Sequence, residues 1–267
     1  MILESLNYAW HAISCPKYVK DLKLLHEIIA IEARYKRCRQ AWQPHLEQCK
    51  KLIIEEAKQL PKRERIIIFG AGSLHDVPLK ELSHLFEELH LVDIFFLQAA
   101  IDEMKTYPNL DFHQLDITGV LRAASQLDND SIIKIDTLTK TRPRDFLQDE
   151  NIDMVVSLNL LSQLPVQIKD YYERNEIRST ELNEFYQSLI LNHLGYLRAF
   201  AASGSKTLLI SDTERLIAGE IESSLLNLDD SIFNGFEPIQ DWTWLIAPQG
   251  ELDPNYDLSL RVKALRI

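Results

Sequence analysis

Arg65 to Leu79 reads RIIIFGAGSLHDVPL. Ile66-Ile67-Ile68-Phe69 has the length and β-branched content of a strand buried on both faces. It runs into Gly70-Ala71-Gly72-Ser73, and the chain then enters a helix with Pro78 in its first turn. Glycine has a chemical use at such a strand-to-helix turn. Lacking Cβ, it lets the backbone turn sharply and lets a ligand lie on the main chain, where amide N–H groups meet carboxylate or ribose oxygens. A G-x-G alone also marks any tight turn, so the flanking segments must decide between the two readings.

Downstream, four more short apolar runs stand out: Leu89 to Ile94 (LHLVDI), Leu110 to Leu115 (LDFHQL), Ile152 to Leu158 (IDMVVSL) and Thr207 to Ile210 (TLLI). Helical patterns lie between them at Pro78 to Glu88, Phe95 to Lys105, Val120 to Leu127, Val166 to Ala202 and Thr213 to Leu228. This βαβ alternation predicts a parallel sheet covered on both faces. The chain ends on Trp242 to Ile246 and on Leu258 to Ala264, where Leu258, Leu260, Val262 and Ala264 alternate with Ser259, Arg261 and Lys263. That alternation predicts an antiparallel hairpin closing the sheet.

Two acids extend the ligand reading. Asp93 ends the second run, where a carboxylate can accept the two hydroxyls of a ribose, and Asp116 ends the third, where it can take the amino group of an adenine. Each alone also suits a strand end or a helix cap. A dinucleotide fingerprint wants G-x-G-x-x-G, but here the third glycine is His75, and no G-x-x-x-x-G-K-[ST] phosphate loop is present.

Taken together, IIIFGAGS, LVDI, HQLDI and DMVVSLNLLSQLP resemble the motifs of class I S-adenosylmethionine-dependent methyltransferases, in order and spacing, over about residues 65–267. The resemblance implies a Rossmann-like, doubly wound α/β fold: a mostly parallel seven-stranded sheet with a C-terminal antiparallel hairpin, preceded by an N-terminal helical extension. It implies S-adenosylmethionine as cofactor. Gly70, Ala71, Gly72 and Ser73 would line its methionine and ribose part, Asp93 and Ile94 the ribose side, and Asp116 and Ile117 the adenine. Ser157, Leu158 and Asn159 would border the methyl group and acceptor. Members commonly carry an acid two positions before the first glycine and a third glycine, where this chain has Ile68 and Leu74. Asp76 offers a replacement carboxylate, or else a helix N-terminal acid ahead of Pro78.

The implied reaction is direct displacement on the sulfonium methyl, which needs orientation and desolvation more than a catalytic signature. Candidates for the acceptor side are Gln163, Tyr196 and Asp212. His193 is the one near-neutral base, though a helix histidine among Leu189, Leu194 and Leu197 also reads as packing. Tyr171-Tyr172 and the pair Trp242/Trp244 read as packing before substrate contact. The fourth motif lacks an N-P-P-Y-like sequence, and the favoured acceptor is a small molecule. A nicotinamide-dependent oxidoreductase and a non-catalytic, methyltransferase-like binding or regulatory protein are the alternatives.

Composition sets the outer limits. The 267 residues are 46% hydrophobic and 26% charged, with 29 Lys+Arg against 40 Asp+Glu and a net charge of −11. An acidic chain with no apolar run of membrane-spanning length favours neither nucleic acid nor membrane as partner and predicts a cytoplasmic protein. The oligomeric state is not legible. Cys15, Cys38 and Cys49 lack C-x-x-C spacing, which argues against a disulfide framework and a zinc site and predicts reduced, buried thiols. No metal is expected.

The charge is divided unequally: residues 1–65 carry 13 Lys+Arg and 8 Asp+Glu, so the rest is strongly acidic. Residues 1–64 read as a helical lid and 65–267 as the catalytic domain. In the lid, Tyr18, Leu22, Leu25 and Ile29 form one helical stripe and Leu46, Cys49, Ile53, Ala57 and Leu60 another, with Arg39 to Pro44 as connector. Arg34, Lys36, Arg37 and Arg39 are either solvated faces of a docked lid or a site for an acidic substrate.

Overall fold

A computed structural model describes residues 2–128, 133–222 and 228–267. Strand β1 (Arg65–Phe69) lies in the middle of a single sheet with β2 (Glu88–Asp93), β3 (Leu110–Gln114), β4 (Ile152–Leu158), β5 (Lys206–Ile217), β7 (Glu237–Ala247) and β8 (Leu258–Arg266). The order is β3-β2-β1-β4-β5-β8-β7, and a short β6 (Glu220–Ile221) pairs with β5 outside that path. Pairing is parallel from β3 to β5 and antiparallel for β5–β8 and β8–β7. This is the Rossmann-like sheet that the resemblance implies, with its closing hairpin and one additional two-residue strand.

Strand alternation explains why both faces are covered. Ile66 and Ile68 of β1 join one buried cluster and Ile67 and Phe69 the other. Helices α4 (Leu79–Leu85) and α5 (Gln98–Met104) supply Leu79, Leu82, Ala100 and Met104 to the first; α9 (Leu182–Ala202) supplies Ile190, Leu194, Leu197 and Phe200 to the second. Helices α6 (Leu121–Ala124), α7 (Ile133–Lys140) and α8 (Val166–Arg174) complete the connections.

Three sequence expectations are corrected. Arg39–Pro44 is helical and no connector: α1 (Ile2–Ala12) and α2 (Lys17–Asp21) lead into α3 (Leu24–Lys58), and the break between its two halves is a kink at Cys38 (φ −104°, ψ 17°), one residue earlier than expected. Pro44 lies inside the helix beyond the kink, where it removes one intrahelical N–H donor without ending the helix. The long region Val166–Ala202 is split into α8 and α9. Thr213–Leu228 is not a helix over its described part, because β5 continues to Ile217 along β8 and turns back at Ala218-Gly219. Both turn residues have positive φ, as a tight hairpin requires. Residues 223–227 of that stretch lie outside the described residues. Partner strand β8 overrides the helix propensity of the TERLIAGE segment.

The N-terminal helices are docked on the sheet domain. Along α3, Trp42, His45, Cys49, Leu52, Ile53, Glu56 and Ala57 are buried, and the Trp42 indole N–H donates to the carbonyl of Ile246 at 2.8 Å. Three of the four basic side chains singled out on α3, Arg34, Lys36 and Arg37, form ion pairs. Arg37 meets Glu251 at 2.6 Å and Glu4 at 3.6 Å, Lys36 meets Glu32 at 3.3 Å, and Arg34 approaches Glu251 at 4.0 Å. Arg34, Lys36 and Arg37 are thus engaged by carboxylates of this chain rather than fully solvated. All three cysteines are free and buried. Thiol titration of the native protein with an aromatic disulfide should therefore be slow until denaturant is added, and should then count three thiols.

Candidate functional site

Open α/β sheets bind ligands beyond the carboxyl ends of their strands, where the order reverses. Here the reversal falls at β1, flanked by β2 on one side and β4 on the other. Gly70 turns out of β1 with φ +84°, and a Cβ there would stand 2.3 Å from the carbonyl oxygen of Leu158. Two residues on, the Gly72 N–H donates to Asp93 Oδ2 at 2.8 Å, while Ile94 N–H donates to Asp93 Oδ1 at 2.7 Å. Asp93 therefore clamps the glycine turn to the end of β2. Burial pushes its carboxyl up to about 6, against the backbone N–H groups of Gly72, Ile94 and Phe95.

Asp116 sits at the next strand end and is used by its own loop. Oδ1 accepts from the Thr118 N–H and hydroxyl at 3.0 and 2.6 Å, and Oδ2 from the Leu121 N–H at 2.7 Å, so it caps α6. Burial raises its pKa too. Ile117 is buried beside it.

Above these strand ends lies α2. Leu22, at the end of α2 and fully buried, packs in one apolar cluster with Val120, Leu121 and Ile168, and Ile94 lies against the same cluster. Tyr18 packs there as well, with the Arg122 guanidinium 5.4 Å from its ring centre. The residues assigned by resemblance to the ribose and adenine thus lie beneath the N-terminal helices.

On the other side of the glycine turn the structure gathers a second group. Asn159, in a left-handed conformation just after β4, directs Nδ2 to Asp76 Oδ2 at 2.8 Å and lies 3.1 Å from His45 Nε2. The Trp242 indole N–H donates to His45 Nδ1 at 3.1 Å, and the Trp244 ring stacks on the imidazole at 3.9 Å. Burial pulls the His45 pKa down to about 3 and raises that of Asp76. Sequence reasoning named Asn159, Asp76 and the two tryptophans but missed His45. The available signal was a histidine one turn before Cys49 on the buried stripe of α3.

The remaining candidates are dispersed. His193 is buried on α9, accepts or donates to Ser157 Oγ through Nε2 at 2.8 Å, and is pulled down to about 3 by burial. Both residues face the core. Tyr196 is buried and donates its hydroxyl to the Asp145 carbonyl. Gln163 and Asp212 are joined through Ser162, whose hydroxyl donates to Asp212 Oδ1 at 2.6 Å and accepts from Gln163 Nε2 at 2.9 Å. Tyr171 and Tyr172 donate their hydroxyls to the carbonyls of Ser125 and Ala124.

Two cavities border this region. One, of about 720 Å³, opens between α1, α3, Ser73, His75 and α5. The other, about 10 Å³, lies among Ile117, Thr118, Pro143, Leu189, Asn192 and His193, with room for one water.

No family model and no curated protein matches the chain. Solved structures give distant likenesses. The complex titled DhpI-SAH shares 12% identity over 88% of this chain and 93% of its own, at a TM-score of 0.41. YcgJ from Bacillus subtilis shares 12% over 82% and 96%, also at 0.41. The 1,6-didemethyltoxoflavin-N1-methyltransferase of Burkholderia thailandensis, with bound 1,6-didemethyltoxoflavin and S-adenosylhomocysteine, shares 12% over 90% and 89%, at 0.40. Likenesses this remote add nothing to what the strand order and the side chains of this chain establish.

Proposed function

We propose that the chain binds S-adenosylmethionine across the carboxyl ends of β1 and β2 and transfers its methyl group to a small-molecule acceptor. The observation that carries this reading is the clamp between Gly72 and Asp93 at the point where the strand order reverses. Each Asp93 oxygen accepts a backbone N–H and keeps lone-pair capacity for a ribose hydroxyl. Gly70, Ala71, Gly72 and Ser73 would face the methionine and ribose part, Ile94 the ribose side, and Asp116 and Ile117 the adenine. Ser157 and Leu158 would contribute backbone only, since both side chains are buried.

When bound, the sulfonium supplies an activated methyl group. The task left to the chain is to hold donor and acceptor in line and exclude water. Asn159 follows β4 beside the glycine turn, where its backbone would border the acceptor. Gln163, Asp212 and Tyr196 are weaker contacts for it, and His193, sealed in the core, serves packing.

Calorimetric titration with S-adenosylmethionine, S-adenosylhomocysteine and NAD tests the reading. Heat with the two sulfur nucleosides and none with NAD is expected; silence with both sulfur nucleosides sinks it. Asp93→Ala should weaken binding at least severalfold. A ribose diol donates to the ionised carboxylate, so affinity should also fall as pH drops through about 6 in the wild type. Linkage gives the free protein the opposite trend: a carboxyl raised on folding stabilises most below its unfolded pKa and loses that contribution as pH rises through about 6.

A second reading, a methyltransferase-like binding or regulatory protein without turnover, is favoured by the α2 roof. Leu22 and Tyr18 pack over the strand ends that a nucleoside would need. Nucleoside binding without methyl transfer to any of a panel of amines, phenols and thiols would support it. A nicotinamide reading has no such observation in its favour.

A further inference from the structure

His45, Cys49, Asp76 and Asn159 converge from three segments far apart in the sequence. His45 and Cys49 are one turn apart on α3, Asp76 follows the glycine turn, and Asn159 follows β4. One ligand-capable atom from each of the first three lies within 4.8 Å of the others. Cys49 Sγ is 3.6 Å from His45 Nε2. The Asn159 amide nitrogen is 2.8 Å from Asp76 Oδ2, 3.1 Å from His45 Nε2 and 3.9 Å from Cys49 Sγ. With Zn–S of about 2.3 Å and Zn–N or Zn–O of about 2.0 Å, the edges of a tetrahedral site are about 3.3–3.6 Å. The separations above, 2.8 to 3.9 Å, bracket those edges, and Asp76 completes the group within 4.8 Å.

While Trp242 donates to His45, neither orientation of the Asn159 amide is fully satisfied. An indole N–H only donates, so the Trp242 contact makes Nδ1 of His45 an acceptor and puts the imidazole proton on Nε2. Nε2–H then faces the Asn159 NH2 group, donor against donor, while Asn159 Oδ1 is buried with no partner. Turning the amide by 180° brings Oδ1 to Nε2–H, yet sets it against Asp76 Oδ2. That contact requires a proton on Asp76, and it moves the NH2 group into the place where no acceptor stands. A cation at the centre offers a different arrangement, in which the turned Oδ1, the Asp76 oxygen, the Cys49 thiolate and His45 Nε2 would all direct lone pairs inward. One contact must then change: Nδ1 takes the imidazole proton, and the Trp242 indole N–H has to turn away from it.

We propose that His45, Cys49, Asp76 and Asn159 form a closed, four-ligand zinc site that staples α3 to the carboxyl ends of β1 and β4. A mixed N, S and O set suits Zn²⁺ better than Mg²⁺ or Ca²⁺. Four protein ligands leave no open position, so the ion is structural. The proposal does not rest on the methyl-transfer reading.

The test uses the full chain. After purification without chelator and removal of loose metal, elemental analysis should find about one zinc per chain. Cobalt(II) added to stripped protein should give the near-ultraviolet absorption of a thiolate-to-cobalt bond, together with a change in tryptophan fluorescence as Trp242 turns. Cys49→Ser should abolish that absorption and weaken zinc binding by about 100-fold or more, whereas Cys15→Ser and Cys38→Ser should leave both intact. If Cys49→Ser does not fold, Asp76→Asn and the wild-type absorption carry the test. Wild-type protein with well under one zinc per chain and no cobalt–thiolate absorption would overturn the site. So would zinc retained at full strength in both Cys49→Ser and Asp76→Asn.

Discussion

Gly70→Ala should destabilise the protein by about 3–5 kcal/mol, measured as a lowered urea midpoint at unchanged slope. Two costs add. At φ +84° an L-residue is strained wherever it sits, and the new methyl carbon would lie 2.3 Å from the Leu158 carbonyl oxygen and 3.1 Å from Leu160 Cβ. Neither neighbour can yield cheaply: the carbonyl belongs to the end of β4, a strand buried between β1 and β5. The same substitution at Gly195 provides the control. That glycine lies within α9, and a Cβ there meets nothing within 4 Å. Gly195→Ala should stabilise by about 0.5–1 kcal/mol through helix propensity. Equal effects at the two positions would mean that β1 and β4 do not approach each other this closely.

The second large effect is expected at Glu56. Its carboxylate is 3% exposed at the end of α3 and accepts from Arg266 Nη2 at 2.8 Å and Arg266 Nε at 3.0 Å, with Lys206 Nζ 2.8 Å away. Burial opposes its ionisation, but the two cations outweigh it and hold the pKa below the usual carboxylate range. Glu56→Gln should cost about 3 kcal/mol near neutral pH, because it leaves two cations on β5 and β8 short of their shared anion. Arg266 keeps Glu237 and Lys206 keeps Gln59, which limits the loss. The sign with pH follows from the depressed pKa. The contribution is present above the unfolded pKa of about 4.3 and is lost as pH falls through the lower folded value. The stability gap between wild type and variant should accordingly narrow between pH 5 and pH 3, and a gap independent of pH would contradict an ionic role.

Both residues bear on the site. Gly70 sets how closely the β1 turn meets β4, and Glu56 fixes the far end of the helix whose middle carries His45 and Cys49 over that turn. Losing either should disturb ligand binding along with stability.

The sheet was legible because buried strands have a local signature. Ile66 to Phe69 and Ile152 to Leu158 are apolar on both faces, and hairpin strand Leu258–Arg266 alternates. The Gly70 turn and Asp93 were legible for the same reason: geometry there depends on residues near in sequence to a strand end. Where propensity and partner disagreed, the partner won, as at Thr213–Ile217, which pairs with β8 although its residues favour a helix. His193 and Tyr196 show the converse limit. A sequence marks them as able to do chemistry, but burial against β4 and the 145–146 loop turned them into packing.

By itself, the sequence determined the alternation of strands and helices, the glycine turn, the acids at the ends of β2 and β3, and the basic character of the N-terminal segment. All of these follow from local steric and hydrophobic constraints. Tertiary structure alone decided where α2 and α3 dock, that Arg37 is spent on Glu251 and Glu4, and that His45, Cys49, Asp76 and Asn159 meet. Those contacts join segments tens to more than a hundred residues apart. They are set by how helices bury their stripes against a twisted sheet, a quantity that no local spacing encodes.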